Sequence, residues 1–293
     1  MARLRNAITA FRIVGPWKFC KRVWQQLNED DLLTLASAMA YSWLFAIFPF
    51  LIVLMSVVAR LPRSFRSSSR DFINEFVRYA LPKSAGKLVM SNIDVVINQP
   101  TYKGLLSLSI AIALISASSG FGATMSALDR CYDIPPEKQQ SFWRRRLIAL
   151  IMTAISSALI LAVAILVPLG GVLIHMMVVH HVITQGEAHA LAILRYVVAL
   201  ALLILIVDMI YAFGPSYRLR FRIFTPGTMF SILIWVLMGF GFAVYLAHFN
   251  SYNREYGALA GVAILMLLFY IDSVVLLVGA EIDSEIDIVL GKK

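Results

Sequence analysis

Two carboxylates pose the first chemical question in this chain of 293 residues. Asp208 and Asp272 each interrupt a run of apolar residues, at 196–213 and 257–279. An ionised carboxylate facing lipid at such a depth would cost a few kcal/mol, so each must face protein or water or be neutralised. At 1.5 Å per residue, both lie roughly 9–11 Å inside the same end of their runs. That shared depth predicts one polar layer, either a single proton-linked site or two independently satisfied groups. Tyr211, three residues after Asp208 on the same helix, is the candidate donor to it. A carboxyl that is merely hydrogen-bonded in packing is the competing reading.

The remaining polar residues suggest a path and a rim. Ser116, Gly120 and Thr124 recur every four residues, a spacing that either lines a path with hydroxyls and backbone or lets two helices pack closely. Ser37, Tyr41 and Ser42 are expected to face protein or a cavity, and Pro49 to kink its helix. The substrate-path candidates are therefore Tyr41, Pro49, Ser116, Gly120, Asp208, Tyr211 and Asp272. Arg144, Arg145 and Arg146, with Arg218, Arg220 and Arg222, flank apolar runs on one side. They serve either topology and headgroup contact or the gathering of an anionic substrate group. His175, His180, His181 and His189, with Glu187, match no standard metal spacing and read as a solvated loop. No Ser/His dyad, paired aspartates or zinc-type HExxH is present, so no catalytic residue, metal or cofactor is assigned and the chain is not read as an enzyme. A metal-dependent nuclease would need clustered carboxylates or histidines, yet the connectors offer Asp129, Asp133 and Glu137 among arginines, with no histidine.

Composition fixes what must position these groups. Hydrophobic residues make up 60% of the chain and charged residues 15%, with mean hydropathy +0.78, far from the balance of a soluble domain. The net charge of +9 fits a bias toward one membrane face and anionic headgroups. It does not point to nucleic acid, because no basic patch is interleaved with stacking aromatics. A hydrocarbon core of about 30 Å needs roughly 20 apolar residues. Six runs meet that need: 33–59, 105–128, 147–173, 196–213, 226–247 and 257–279. The expected fold is an all-α polytopic membrane protein in one domain, residues 1–293. Residues 1–31 read as a cytoplasmic amphipathic arm on the membrane surface, and 60–103 as a helical extracytoplasmic segment. Pro168, Gly170 and Gly171 are expected to bend the third span. The residues after Gly279 read as a short acidic tail.

With both termini inside, 16 lysines and arginines fall on cytoplasmic segments and 10 outside. The long segment 60–103 holds eight of those ten against the bias, while the short connectors follow it. Cys20 and Cys131 then both face a reducing compartment.

Several segments carry a resemblance. They are Leu35 to Tyr41 with Phe48 and Pro49; Ser116 to Arg130; Phe142 to Leu147; and Tyr211 and Pro215 with the arginines beyond. The most specific is a hairpin motif, Ser251, Tyr252, Asn253, Tyr256 and Gly257, closing with Gly279, Ala280 and Glu281. Over residues 20–285 the chain resembles the YihY/BrkB family of bacterial inner-membrane proteins. The resemblance implies six transmembrane helices, an inner-membrane address and no settled biochemical activity. That family has carried a virulence label, resistance to serum killing, and an old ribonuclease label. Some relatives have been linked to moving lipid or lipopolysaccharide precursors. Two function classes follow. One is transport or flipping of an amphiphilic, anionic lipid-type substrate. The other is a non-transporting envelope scaffold. The expected partners are the lipid bilayer and anionic lipid headgroups, and self-association into a homo-oligomer stays open.

Overall fold

The computed structural model describes residues 10, 12–58, 103–179, 181–216, 224–248 and 252–291. Among these the chain is all helical. A short amphipathic helix, α1 (Pro16–Glu29), precedes six long ones: α2 (Leu32–Val58), α3 (Lys103–Cys131), α4 (Phe142–Val179), α5 (Gln185–Phe213), α6 (Pro226–His248) and α7 (Tyr252–Val289). A single 3-10 turn, Pro136–Lys138, lies between α3 and α4. Three described stretches are long and apolar enough to cross a membrane: Phe142–Val163, Gln185–Phe213 and Val262–Val289.

The long helices are apolar on nearly every face, so burying one stripe leaves others exposed. On α5, Ile193, Leu194, Tyr196 and Val197 are all more than half exposed. Such outward apolar surface is what a lipid-facing helix presents. The protein-facing stripes converge at one end of the bundle. There Leu32, Ala36 and Met39 near the start of α2 meet Leu128 and Cys131 at the end of α3, Val207 and Ile210 late in α5, Ile232 early in α6, and Leu276, Leu277 and Ala280 of α7. α2 packs on α3 and α7, α4 on α3 and α5, and α6 on α5 and α7.

Helix ends differ from the sequence reading in two places. Much of the histidine-bearing region over 175–194 is helix, because α4 runs to Val179 and α5 begins at Gln185. α4 continues through Gly170 and Gly171. The supposed acidic tail is the last turns of α7, and Glu281, Asp283, Ser284 and Glu285 are buried there. The apolar periodicity of Ile282, Ile286 and Val289 carries the helix past Gly279.

The arm also differs in part. Phe19 and Val23 of α1 pack against Ile286 of α7 instead of lying open, and Arg22 pairs with Glu285 at 3.2 Å. Trp17 and Trp24 remain outward, at 83% and 67% exposure. The segment expected over 60–103 lies outside the described residues except for Lys103, and Ser251, Arg218, Arg220 and Arg222 also lie outside them.

Candidate functional site

The polar centre of the molecule forms around the first turn of α6. A helix start leaves four backbone N–H groups without intrahelical acceptors, and here they lie against apolar neighbours. Thr225 takes the position before the helix, and Pro226 occupies the first helical position, where its missing N–H costs nothing. The Thr225 hydroxyl oxygen accepts the Thr228 N–H at 3.1 Å. The other donors are met from other helices. Asp208 of α5 accepts the Thr228 hydroxyl at 2.5 Å and the Phe224 N–H at 3.0 Å. Asp283 of α7 accepts the Gly227 N–H at 3.0 Å. Two carboxylates from two helices thus clamp the electropositive start of a third, where anionic groups are favoured.

Just beyond the clamp, α6 and α7 cross with almost no separation. A Cβ placed at Gly227 would collide with the Gly279 carbonyl oxygen and come within 2.9 Å of the Asp283 carboxyl carbon. One placed at Gly279 would collide with the Ser231 and Tyr211 hydroxyl oxygens. Tyr211 donates to the Leu276 carbonyl at 2.7 Å and shares a 2.8 Å hydrogen bond with Ser231. It therefore joins α5 to α6 and α7, and it does not serve Asp208 as the spacing on one helix suggested.

A second node lies at the end of α3. Asp129 accepts the Ser216 N–H at 2.6 Å, the Ser216 hydroxyl at 2.8 Å and Arg145 Nη2 at 3.0 Å. It ties α3 to the start of α4 and to the residues after α5. Tyr132, three residues on, is buried, and that burial pushes its phenol well above the usual range.

The residues chosen from sequence divide accordingly. Asp208 and Tyr211 belong to the polar centre. Asp272 does not share it: the α7 carboxylate there is Asp283, eleven residues and roughly 16 Å farther along the helix. Gly120 is a packing contact, since a Cβ there would lie 3.1 Å from Trp43 Cδ1. Thr124 donates to the Gly120 carbonyl and accepts Trp43 Nε1 at 3.1 Å. The Ser116 stripe thus meets α2 in its second half. Tyr41 is 57% exposed, its ring tilted against that of Phe45 with centroids 4.7 Å apart, contrary to the inward orientation expected of it. Ser37 is exposed too, its hydroxyl satisfied by the Leu33 carbonyl four residues back at 2.9 Å, so it needs no protein partner. Pro49 lies inside α2, which stays helical on both sides of it.

In the basic rim, Arg144 is exposed, Arg145 is held by Asp129, and Arg146 donates to the Ile115 carbonyl at 2.7 Å. Tyr252, Asn253, Tyr256 and Gly257 form the first turns of α7. Glu281 is fully buried. No group of three or more metal-binding side chains occurs among the described residues. The residue that sequence reasoning missed is Asp283. Its signal was present: Leu276, Gly279, Asp283 and Asp287 recur at helical spacing on one face.

Residues 23–292 match the family described as "Virulence factor BrkB". The chain belongs to the BrkB family. Over 267 residues it is 30% identical to the ribonuclease-like protein YfkH of Bacillus subtilis, covering 91% of this chain and 94% of that protein. It is 27% identical over 271 residues to a UPF0761 membrane protein of Xanthomonas campestris, covering 91% of this chain but only 60% of that relative's length. A UPF0761 membrane protein of Xanthomonas axonopodis matches to the same extent. The chain is thus a membrane protein of the BrkB and UPF0761 group. No solved structure matches it.

Proposed function

We propose that this BrkB-family protein is a non-enzymatic, six-span protein of the bacterial inner membrane that moves or flips an amphiphilic, anionic lipid-type substrate. The observation that carries the reading is the polar centre at α5, α6 and α7. Asp208, Asp283, Thr225, Thr228, Tyr211 and Ser231 are all buried there, each at 4% exposure or less, beside a glycine crossing of two helices. Intramembrane carboxylates are expensive, and substrate or proton pathways are a common reason for keeping them. Six long helices that alternately begin and end at the core support the reading of six spans with both ends of the chain on one side. The short-connector charge bias favours the cytoplasmic side. On that side, Trp17 and Trp24 of α1 are available to the headgroup region. In this reading Asp272 and the arginines Arg144, Arg218, Arg220 and Arg222 remain substrate-contact candidates.

A second reading, an envelope scaffold, is favoured by how fully Asp208, Asp283 and Asp129 are engaged in holding helices together. Purified protein in liposomes, assayed for transbilayer movement of a fluorescent anionic phospholipid, separates the two. Movement above that of empty liposomes, lost in Asp208→Asn, supports transport. A rate equal to that of empty liposomes supports the scaffold. The topology is read separately by an impermeant thiol reagent on spheroplasts. Cys20 is exposed and reports its side, whereas Cys131 is fully buried and would stay unlabelled from either side.

A further inference from the structure

α4 and α5 pack together as a hairpin around residues 181–184. Ten residues below the start of α5, roughly 15 Å along the helix, lies Arg195. Its side chain rests on two adjacent glycines of α4. A Cβ at Gly170 would lie 2.8 Å from Arg195 Cδ, and one at Gly171 would lie 2.5 Å from Nη1. The guanidinium carbon stands 4.6 Å from the centre of the Tyr196 ring. Leu173, Ile193, Leu194 and Val197 project outward around it, each more than half exposed. This is an outward apolar surface with a cation set into it.

Three partly buried or paired arginines near helix ends find anions or carbonyls: Arg145 has Asp129, Arg22 has Glu285, and Arg146 has the Ile115 carbonyl; Arg130 and Arg144 are exposed instead. Arg195 forms no ion pair among the described residues, and its buried Nε has no hydrogen-bond acceptor. A guanidinium cannot be neutralised by losing its proton, so an apolar setting leaves it in need of an external anion. Its planar fork matches a phosphate with two parallel hydrogen bonds. The outward apolar residues suit acyl chains, which a soluble phosphate lacks. We propose that Arg195, seated on Gly170 and Gly171, binds the phosphate of an anionic phospholipid at the hairpin end of α4 and α5. In the topology proposed above this is the outer leaflet, but the binding itself does not depend on transport.

Native mass spectrometry of the purified full chain, equilibrated with phosphatidylglycerol or phosphatidylcholine, tests the site. The expected result is several-fold greater retention of phosphatidylglycerol, lost in Arg195→Gln and partly kept in Arg195→Lys. Gly171→Val fills the cradle, leaves the charge in place and should also lose the preference. Lipid-dependent shifts in unfolding temperature should follow the same order. An unchanged preference in Arg195→Gln overturns the site. Displacement of the lipid by millimolar inorganic phosphate overturns its assignment to a lipid.

Discussion

Helices α5 and α6 begin with the same problem and solve it in opposite ways. At α5 the solution is local. Thr184 accepts the Glu187 N–H at 3.4 Å, while the Glu187 carboxylate accepts the Thr184 N–H at 2.7 Å and its hydroxyl at 2.9 Å. All partners lie within four residues and are exposed. At α6 Thr225 meets one donor, and Asp208 and Asp283, 20 residues before Thr228 and 56 after Gly227, meet others in a buried setting. A local cap stabilises a helix wherever that helix lies. A remote cap stabilises it only where the other helices are, so it fixes the relative position of α5, α6 and α7. Burial raises the stakes, because an unmet donor there has no water to turn to.

The contrast makes graded predictions. The largest effect should come from Gly279→Val at the crossing. Its side chain must displace Tyr211, Ser231 or the α6 backbone, with an expected loss of about 3 kcal/mol or more, read as a fall in folded yield and detergent unfolding temperature. Asp208→Ala should come next. It strands the Thr228 hydroxyl and the Phe224 N–H, at about 2–3 kcal/mol, whereas Asp208→Asn, which keeps an acceptor, should lose less. The double variant Asp208→Asn with Asp283→Asn should depart from additivity, since both groups hold one turn. Thr184→Ala should cost about 1 kcal/mol and leave the α6 region unchanged in hydrogen exchange. If Thr184→Ala proves as damaging as Asp208→Ala, the division between local and remote caps fails. The smallest effect belongs to Arg22→Gln. Its half-exposed ion pair with Glu285 should contribute under about 0.5 kcal/mol after screening, and raised salt should shrink even that difference.

The same contrast explains what could be read from sequence. Apolar runs long enough to span lipid announce themselves, and each of the six contains the body of a long helix. Thr184 and Glu187 sit three apart, a spacing that any reader of caps could use. The remote cap has no such signature. In the sequence Gly279 looks like a terminus, which hides Asp283, yet Gly279 lets α6 approach. Three residues on one helix are near neighbours, which points to Asp208 as the partner of Tyr211. Its partners Ser231 and Leu276 lie on other helices, and only the crossing of α5, α6 and α7 brings them within reach. The spacing of Ser37 and Tyr41 suggests a face turned toward protein or a cavity, yet both are exposed, and for Ser37 a carbonyl four residues back suffices.

The remote caps also impose an order on biosynthesis. The first turn of α6 emerges from the ribosome about 55 residues before Asp283, and at about 5–20 residues per second that is roughly 3–11 s. Arg22 waits far longer, since Glu285 follows it by 263 residues, or roughly 13–53 s. During that interval the apolar face of α1 and the Gly227 N–H that Asp283 will accept have no partner from α7, although Asp208 already serves the start of α6. The insertion machinery, a chaperone or the membrane surface must shelter both until α7 arrives. A ribosome stalled before α7 should therefore leave a nascent chain whose α1 is sensitive to protease, and translating α7 should remove that sensitivity.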